Sequence, residues 1–334
     1  MEALYNSVML SHGAAVRKSK GGPCALTQPE ALLRGQLSIA PDPSDLLHCA
    51  LMQDKKTIAV LGAGTMGNGI AHVFARAGHA VLLADISQTA LNTGFTTIRK
   101  NLAREVTKAK LTAEEAQAAE ARITLTTDFA SLGAALLALE AATERFEIKS
   151  KLFVQLDAIL PADAILASNT SSISITRLAA LTTRPGQVIG MHFFNPVPVM
   201  RLVEVIRGLQ TTQATFDTVH ALAMAVGKIP VEVNDAAGFV SNRVLMPLIN
   251  EACFAVMEGV ATADAIDTIF REGMAHPMGP LTLADFIGLD VCLDIMRVLV
   301  EGLGDPKYRP CPLLVRMVDA GWLGRKSGRG FYTY

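Results

Sequence analysis

Apolar positions along this 334-residue chain fall into two regimes. Between residues 57 and 235, short runs of β-branched and aliphatic residues alternate with longer stretches in which apolar residues recur every three or four positions. The short runs predict buried strands and the longer periodic stretches helices. "TIAVLG" (57–62) predicts a strand, "NGIAHVFARAG" (68–78) a helix closing at a glycine, and "HAVLLAD" (79–85) a second strand with an acid at its tip. A long helix follows a Ser87 cap, and "TAEE" (112–115) is a capping box opening another. "RITLTTD", "ALLALEAATE", "AILASNTSS" and "GQVIGMHFFNP" predict further strands, with the amphipathic helix "RFEIKSKLFVQLDAIL" ending before Pro161. Such alternation implies an α/β Rossmann-type, doubly wound, mostly parallel sheet, with ligands at the carboxyl ends of the strands. After "IPVEVND" (229–235) only helical periodicity appears, in "GFVSNRVLMPLINEACFAVMEGVA", "ADAIDTIFREGMA", "LADFIGLDVCLDIMRVLVEG" and "PLLVRMVDAGWLG", followed by a glycine-rich basic tail. The expected organisation is an N-terminal extension over 1–53, an α/β domain over 54–235, and an all-helical domain over 236–334.

The first fifty residues carry no sustained period, apart from a possible short helix near 29–37, and no secretory signal pattern. Half of all residues are hydrophobic and the formal net charge is −1, which argues against nucleic acid as a partner. No apolar run reaches the ~18–20 residues of a membrane span. The five cysteines (Cys24, Cys49, Cys253, Cys292, Cys311) are scattered, with no CxxC. Neither a disulfide framework nor a metal site is expected, and a reducing compartment, the cytoplasm, fits best.

The strongest local chemistry is "GAGTMG". Gly62, Gly64 and Gly67 stand in GxGxxG spacing between a strand and a helix, with Asp85 at the tip of the next strand. Gly62 permits a tight turn, Gly64 lets backbone approach a pyrophosphate, and Gly67 lets helix and strand pack closely. Thr65 and Met66 then open the helix whose free N–H groups face the phosphates. Asp85 can accept ribose hydroxyls and repels a 2′-phosphate, and no arginine follows it in "DISQTA", so NAD is expected over NADP.

"GMHFFNPVPVMRLVEV" (190–205) places His192 at a strand end where function is expected, and Glu204 twelve residues on among aliphatic neighbours. A buried carboxylate needs a partner, and an imidazole held by one is a general base for a substrate hydroxyl. Spacing alone leaves open a core histidine and a solvated edge glutamate. In "SNTSS", Ser172 or Ser174 can cap the following helix. Asn242, early in a long helix, faces either solvent or the domain cleft. Lys100, Lys108 and Lys110 form either a solvated face or a handle for an anionic substrate.

Together "LGAGTMGNGIA", "ILASNTSS", "GMHFFNPVPVMRLVEV", "GFVSNR", "HPMGP", "DFIGLD" and "GWLGRKSGRGFY" resemble the 3-hydroxyacyl-CoA dehydrogenases, in particular the monofunctional bacterial 3-hydroxybutyryl-CoA dehydrogenases, over 55–334. The resemblance implies NAD-linked, reversible oxidation of an (S)-3-hydroxyacyl-CoA in fatty-acid or butyrate metabolism, by a homodimer. It implies His192 as acid/base, Glu204 as its orienting partner, and Ser171 and Asn242 on the substrate oxygens. Glu144, Lys149, Ser171 and Asn195 match positions around the nicotinamide, Asp85 matches the ribose acid, and Lys100 falls near the CoA phosphates. Ala237 stands where the family usually has proline, residues 1–51 have no counterpart, and no fused hydratase domain is expected. Two other functions compete: a sugar-acid dehydrogenase of the L-gulonate 3-dehydrogenase kind, and a non-catalytic NAD-binding or structural protein on the same scaffold.

Overall fold

The computed structural model describes residues 56–334. The expected extension, the short helix near 29–37, Cys24 and Cys49 lie outside the described residues. One eight-stranded sheet organises the first part, in the order β3-β2-β1-β4-β5-β6-β7-β8. Its strands are β1 (Thr57–Leu61), β2 (Ala80–Ala84), β3 (Ile123–Thr126), β4 (Leu137–Glu140), β5 (Ile165–Ser168), β6 (Val188–Phe193), β7 (Leu202–Arg207) and β8 (Ile229–Asn234). Helices α1 (Thr65–Arg76), α2 (Gln88–Thr107), α3 (Ala113–Ala121), α4 (Phe146–Ile159), α5 (Ile175–Ala179) and α6 (Gln213–Ala225) pack on its faces. The central strands are buried on both sides: Ile58, Val60, Leu139 and Ile189 face one apolar cluster, while Ala59, Leu61, Ala138 and Leu166 face the other. That explains why these segments are continuous apolar runs rather than alternating ones.

Strands β1 to β6 are mutually parallel. The strand order reverses between β1 and β4, which opens the ligand crevice of a doubly wound sheet there. The last two strands depart from the expected pattern. β7 runs antiparallel to β6, with His192 directly opposite Glu204, and β8 runs parallel to β7. Together with α6 they form elements that the periodicity of 202–234 does not resolve. Local capping follows the sequence closely. Ser87 accepts from Ala90 N, Thr112 and Glu115 close their capping box, and Ser174 rather than Ser172 caps α5 by accepting from Arg177 N.

The second part is helical: α7 (Ser241–Met257), α8 (Ala263–Thr268) with a π-helical turn (Ile269–Gly273), α9 (Pro280–Ile287), α10 (Leu289–Leu303) and α11 (Pro312–Asp319). The pattern over 283–302 is two helices, because Gly288 takes φ 107° and breaks it. Met246, Ile249, Cys253, Leu289, Cys292, Leu293 and Met296 fill the core between them. Two buried carboxylates staple this part. Asp267 accepts from Leu281 N, Thr282 N, the Thr282 hydroxyl and the Tyr332 hydroxyl. Asp285 accepts from Phe331 N, Tyr332 N and the Tyr334 hydroxyl. The glycines of "HPMGP" and "GRGFY" make room for them: a Cβ on Gly279 would sit 2.2 Å from Asp267 Cγ, and one on Gly330 would sit 2.0 Å from Asp285 Oδ1. The tail makes only isolated bridges, at Gly324, Arg329 and Thr333.

Candidate active site

The glycine turn sits at the reversal of strand order. Gly62 has φ 100°, and a Cβ there would lie 2.7 Å from Ala141 O at the end of β4. A Cβ on Gly67 would lie 1.7 Å from Gly62 O, so α1 can start only with glycine at that position. Gly64, by contrast, faces open space, and as the N-cap of α1 it provides no side-chain cap. The exposed N-terminus of α1, with Thr65 and half-buried Met66, thus keeps donors and a partial positive charge for an anion. Asp85 braces the turn: its Oδ2 accepts from Ala63 N at 2.8 Å and its Oδ1 from Ser87 N at 2.9 Å. A cavity of about 360 Å³ beside it is lined by Gly62, Gly64, Asp85, Ile86, Ala141 and Thr143, and a second of about 350 Å³ joins Gly64 and Thr65 to Asn195 and Asn101. An open backbone approach, uncapped donors and an adjacent acid fit a dinucleotide with free ribose hydroxyls.

His192 and Glu204 meet. His192 Nδ1 lies 2.8 Å from Glu204 Oε2, with the two residues 9% and 3% exposed. Their twelve-residue separation is the consequence of antiparallel register, which brings both side chains to one face of β6 and β7. The solvated-edge reading of Glu204 is therefore wrong. Its second oxygen, Oε1, accepts from Ser241 N at 2.9 Å and Val240 N at 3.3 Å, and the Ser241 hydroxyl donates to Oε2 at 2.9 Å. Burial pushes this carboxyl up, but the bonds from His192 and Ser241 outweigh it and hold Glu204 below the usual carboxylate range. The imidazole is walled by Phe194 and Phe239, with ring centroids 4.7 and 6.0 Å away.

The hydroxyl-rich turn after β5 is gripped by Glu144. Its Oε1 accepts from Thr170 Oγ1 (2.6 Å), Ser171 N (2.8 Å), Ser172 N (3.2 Å) and both serine hydroxyls. Lys149 Nζ lies 3.1 Å from Glu144 Oε2 and donates to both oxygens of Glu140. Partial burial raises the Glu144 carboxyl, but Lys149 and the turn's donors lower it further, leaving it below its ordinary value. Asn242 faces the cleft, not solvent: its Nδ2 donates to Ser171 O at 3.2 Å. Lys149, on α4, is fully buried against Glu140, the last residue of β4. Lys100 is exposed and lines a cleft of about 780 Å³ between α2 and α3, with Arg99, Gln117 and Glu120.

Four residues that the sequence reading did not single out also shape the site. Asn169 Oδ1 accepts from Phe193 N and so joins the ends of β5 and β6. Phe239 adopts φ 50° while buried, which sets the turn that aims Val240 N and Ser241 N at Glu204. Gly94 lets α2 approach the glycine turn, since a Cβ there would lie 2.5 Å from Ala63 O. Ser241 stands within "GFVSNR", at the start of a helix, but its partner Glu204 lies on β7, a contact invisible in one dimension. Among the described residues no cluster of side chains could hold a metal ion, and no helix is long and apolar enough to cross a membrane.

A doubly wound sheet with a dinucleotide turn and a histidine–carboxylate pair at the same edge defines a nicotinamide-linked oxidoreductase. The chain matches the family model of the 3-hydroxyacyl-CoA dehydrogenase NAD binding domain over residues 57–236, and that of the 3-hydroxyacyl-CoA dehydrogenase C-terminal domain over 238–334. It belongs to the 3-hydroxyacyl-CoA dehydrogenase family and is an NAD-dependent oxidoreductase. It is 53% identical over 279 residues to the 3-hydroxybutyryl-CoA dehydrogenase of Bradyrhizobium diazoefficiens, covering 84% of this chain and 95% of that one. The mitochondrial hydroxyacyl-coenzyme A dehydrogenase of Homo sapiens is 39% identical, covering 84% and 91%. The crystal structure of (S)-3-hydroxybutyryl-CoA dehydrogenase from Ralstonia eutropha superposes with a TM-score of 0.83 at 50% identity, over 84% of this chain and 99% of that one.

Proposed function

We propose that the protein interconverts (S)-3-hydroxyacyl-CoA and 3-oxoacyl-CoA of short acyl length, with 3-hydroxybutyryl-CoA as the preferred alcohol. The observation that carries the mechanism is the 2.8 Å contact between His192 Nδ1 and Glu204 Oε2 at the cofactor edge of the sheet. Glu204 fixes the imidazole with its Nδ1–H toward the carboxylate, which leaves Nε2 to take the proton from the substrate hydroxyl. Negative Glu204 then stabilises the imidazolium, and in the reverse direction the same nitrogen returns the proton to the forming alkoxide. NAD, when bound, supplies the hydride acceptor. Gly62, Gly64, Thr65, Met66, Gly67 and Asp85 hold its adenosine and pyrophosphate half. Asn195 and Ser171 border the nicotinamide half, and Glu144 with Lys149 act there by fixing the Ser171 turn. Ser171 and Asn242, already linked through the Ser171 carbonyl, hold the substrate oxygens, and exposed Lys100 meets the CoA phosphates.

We take residues 54–235 as the NAD-binding domain and 236–334 as the substrate and dimerisation domain, in keeping with the two family matches. The exposed apolar residues Val244, Phe286 and Val291 on its helices support a homodimer. The buried free thiols Cys253, Cys292 and Cys311 support a reducing compartment, the cytoplasm. The names of the relatives support a place in fatty-acid or butyrate metabolism.

The test is a series of 3-oxoacyl-CoA substrates of increasing length, assayed with NADH and with NADPH, beside L-gulonate with NAD. Highest kcat/KM on acetoacetyl-CoA with NADH is expected. No acetoacetyl-CoA turnover would sink the proposal, and better use of NADPH would overturn the role of Asp85.

A further inference from the structure

Two donors converge on one oxygen of Glu204. His192 Nδ1 lies 2.8 Å from Oε2, and the Ser241 hydroxyl donates to that same atom at 2.9 Å. They come from different parts of the molecule: His192 is the next-to-last residue of β6, while Ser241 is the first residue of α7 in the helical part. The N-terminus of α7 lacks a side-chain cap of its own, since its N-cap residue, Val240, makes no such bond. Glu204 takes that place from the sheet, accepting Val240 N and Ser241 N on Oε1. One carboxylate therefore caps the helix with one oxygen and shares the other between the imidazole and the serine.

We propose that Ser241 is a positioning residue that tunes His192 as acid and base through Glu204. A hydrogen bond to a carboxylate oxygen withdraws charge from it. With the hydroxyl present, Oε2 attracts an imidazolium less strongly than it would alone, so His192 is a weaker base. Removing the hydroxyl concentrates negative charge on the atom facing Nδ1 and favours the protonated ring. Among the described residues, the titratable side chain that meets Glu204 is His192, from β6; α7 offers the Ser241 hydroxyl and the two N–H groups, and β8 places Val231 beside it in register. No second ionisable partner stands in the way of the effect. A charge-assisted bond of this kind is worth about one to two pKa units to the group that accepts it. Part of that passes to His192, so the expected displacement is about half a unit to one unit.

This inference rests on the reading of His192 as the acid/base, and the experiment separates the two. The pH dependence of kcat/KM is measured in both directions for the parent enzyme and for Ser241→Ala, Ser241→Cys, Ser241→Thr and His192→Ala. The histidine limb should move to higher pH by about half a unit to one unit in Ser241→Ala. It should move less in Ser241→Cys, whose thiol is a weak donor, and return in Ser241→Thr, with NADH affinity unchanged throughout. Titration of 15N-labelled histidine in the same proteins should show the same order. An unmoved limb in Ser241→Ala, or equal movement in the alanine and threonine variants, overturns the proposal while leaving His192 its role. Retained turnover in His192→Ala overturns the acid/base reading itself, and this inference with it.

Discussion

Replacing Glu204 by glutamine keeps the volume of the side chain and removes its charge. In the native site Oε1 accepts Ser241 N and Val240 N, and a glutamine carbonyl can keep those bonds. The amide nitrogen must then occupy the place of Oε2, facing both His192 Nδ1 and the Ser241 hydroxyl. An amide N–H cannot accept from Nδ1–H, so the imidazole has to switch tautomer, with Nδ1 as acceptor and the proton on Nε2. That ring can no longer take a proton from the substrate hydroxyl, and it has lost the counter-charge of its imidazolium. Removing general acid–base catalysis costs about 10²- to 10⁴-fold, and a wrong tautomer alone can reach about 10⁴. Exchanging charge-assisted bonds for neutral ones also costs about 1–3 kcal/mol of stability. Glu204→Gln should therefore lower kcat for acetoacetyl-CoA reduction by at least ~10²-fold, with KM for NADH within a factor of about three. Steady-state kinetics, NADH fluorescence titration and urea unfolding measure the three quantities independently. If stability falls while kcat stays within a factor of about three of the parent, Glu204 is only a helix cap and the mechanism above is wrong. The acid limb of stability gives a further check. A carboxyl held below its ordinary value contributes stability that is present above about pH 4.3 and is lost as pH falls through its folded value, and Glu204→Gln should remove that part of the acid sensitivity.

Three other perturbations test the frame around the site. Gly67→Ala puts a Cβ 1.7 Å from Gly62 O, so the turn must open; NADH affinity should fall at least ~10-fold with about 1–3 kcal/mol of destabilisation, and normal binding would refute the close-packing account. Lys228, which donates to Val197 O and Met200 O, is pushed down to about 8 by burial and by Arg76, against the pull of Glu105. Because the unfolded chain holds that proton up to about pH 10.4, stability should rise by about 1–3 kcal/mol between about pH 8 and 10.4. Lys228→Met should flatten this rise in urea titrations, and an unaltered rise would assign it elsewhere. Asp285→Ala leaves Phe331 N, Tyr332 N and the Tyr334 hydroxyl without their acceptor. It should destabilise by about 2–4 kcal/mol and expose the tail to proteolysis, and a loss under about 0.5 kcal/mol would refute the staple.

What the sequence discloses and what it withholds divide by the distance over which each interaction acts. The glycine turn, the Ser87 cap and the Thr112–Glu115 box involve residues within a few positions of one another, so residue type and spacing carry the whole argument. Asp85 is legible because it directly follows the strand next to the turn it braces. Glu204 is not, since its meeting with His192 depends on an antiparallel register set by the connection between β6 and β7. A one-residue slip there would turn the carboxylate to the opposite face. The same limit applies to Lys149. Its position on α4 is readable, but its engagement by Glu140 requires knowing that β4 ends beneath the start of that helix. The family resemblance fills these gaps by analogy, and it assigns Glu144 and Lys149 to the cofactor. In the structure Glu144 holds the Ser171 turn and meets Lys149, and Lys149 donates to Glu140.

The geometry of Glu204 also makes the separation of binding from chemistry in this site a matter of chain position. In the proposed mechanism the donors for a dinucleotide come from residues 62–67, a turn fixed above all by Gly67 on Gly62 and Asp85 on Ala63. His192, in contrast, meets a carboxylate whose other bonds, among the described residues, come from residues 240 and 241. Those two residues are placed by Gly238 and Phe239, both at positive φ, where the chain turns from the sheet into α7. A buried phenylalanine held in that region is strained, and its ring packs against the imidazole that the next two residues control. Changes in this turn should therefore reach turnover through Glu204 before they reach cofactor affinity, and changes in the glycine turn should act in the opposite order.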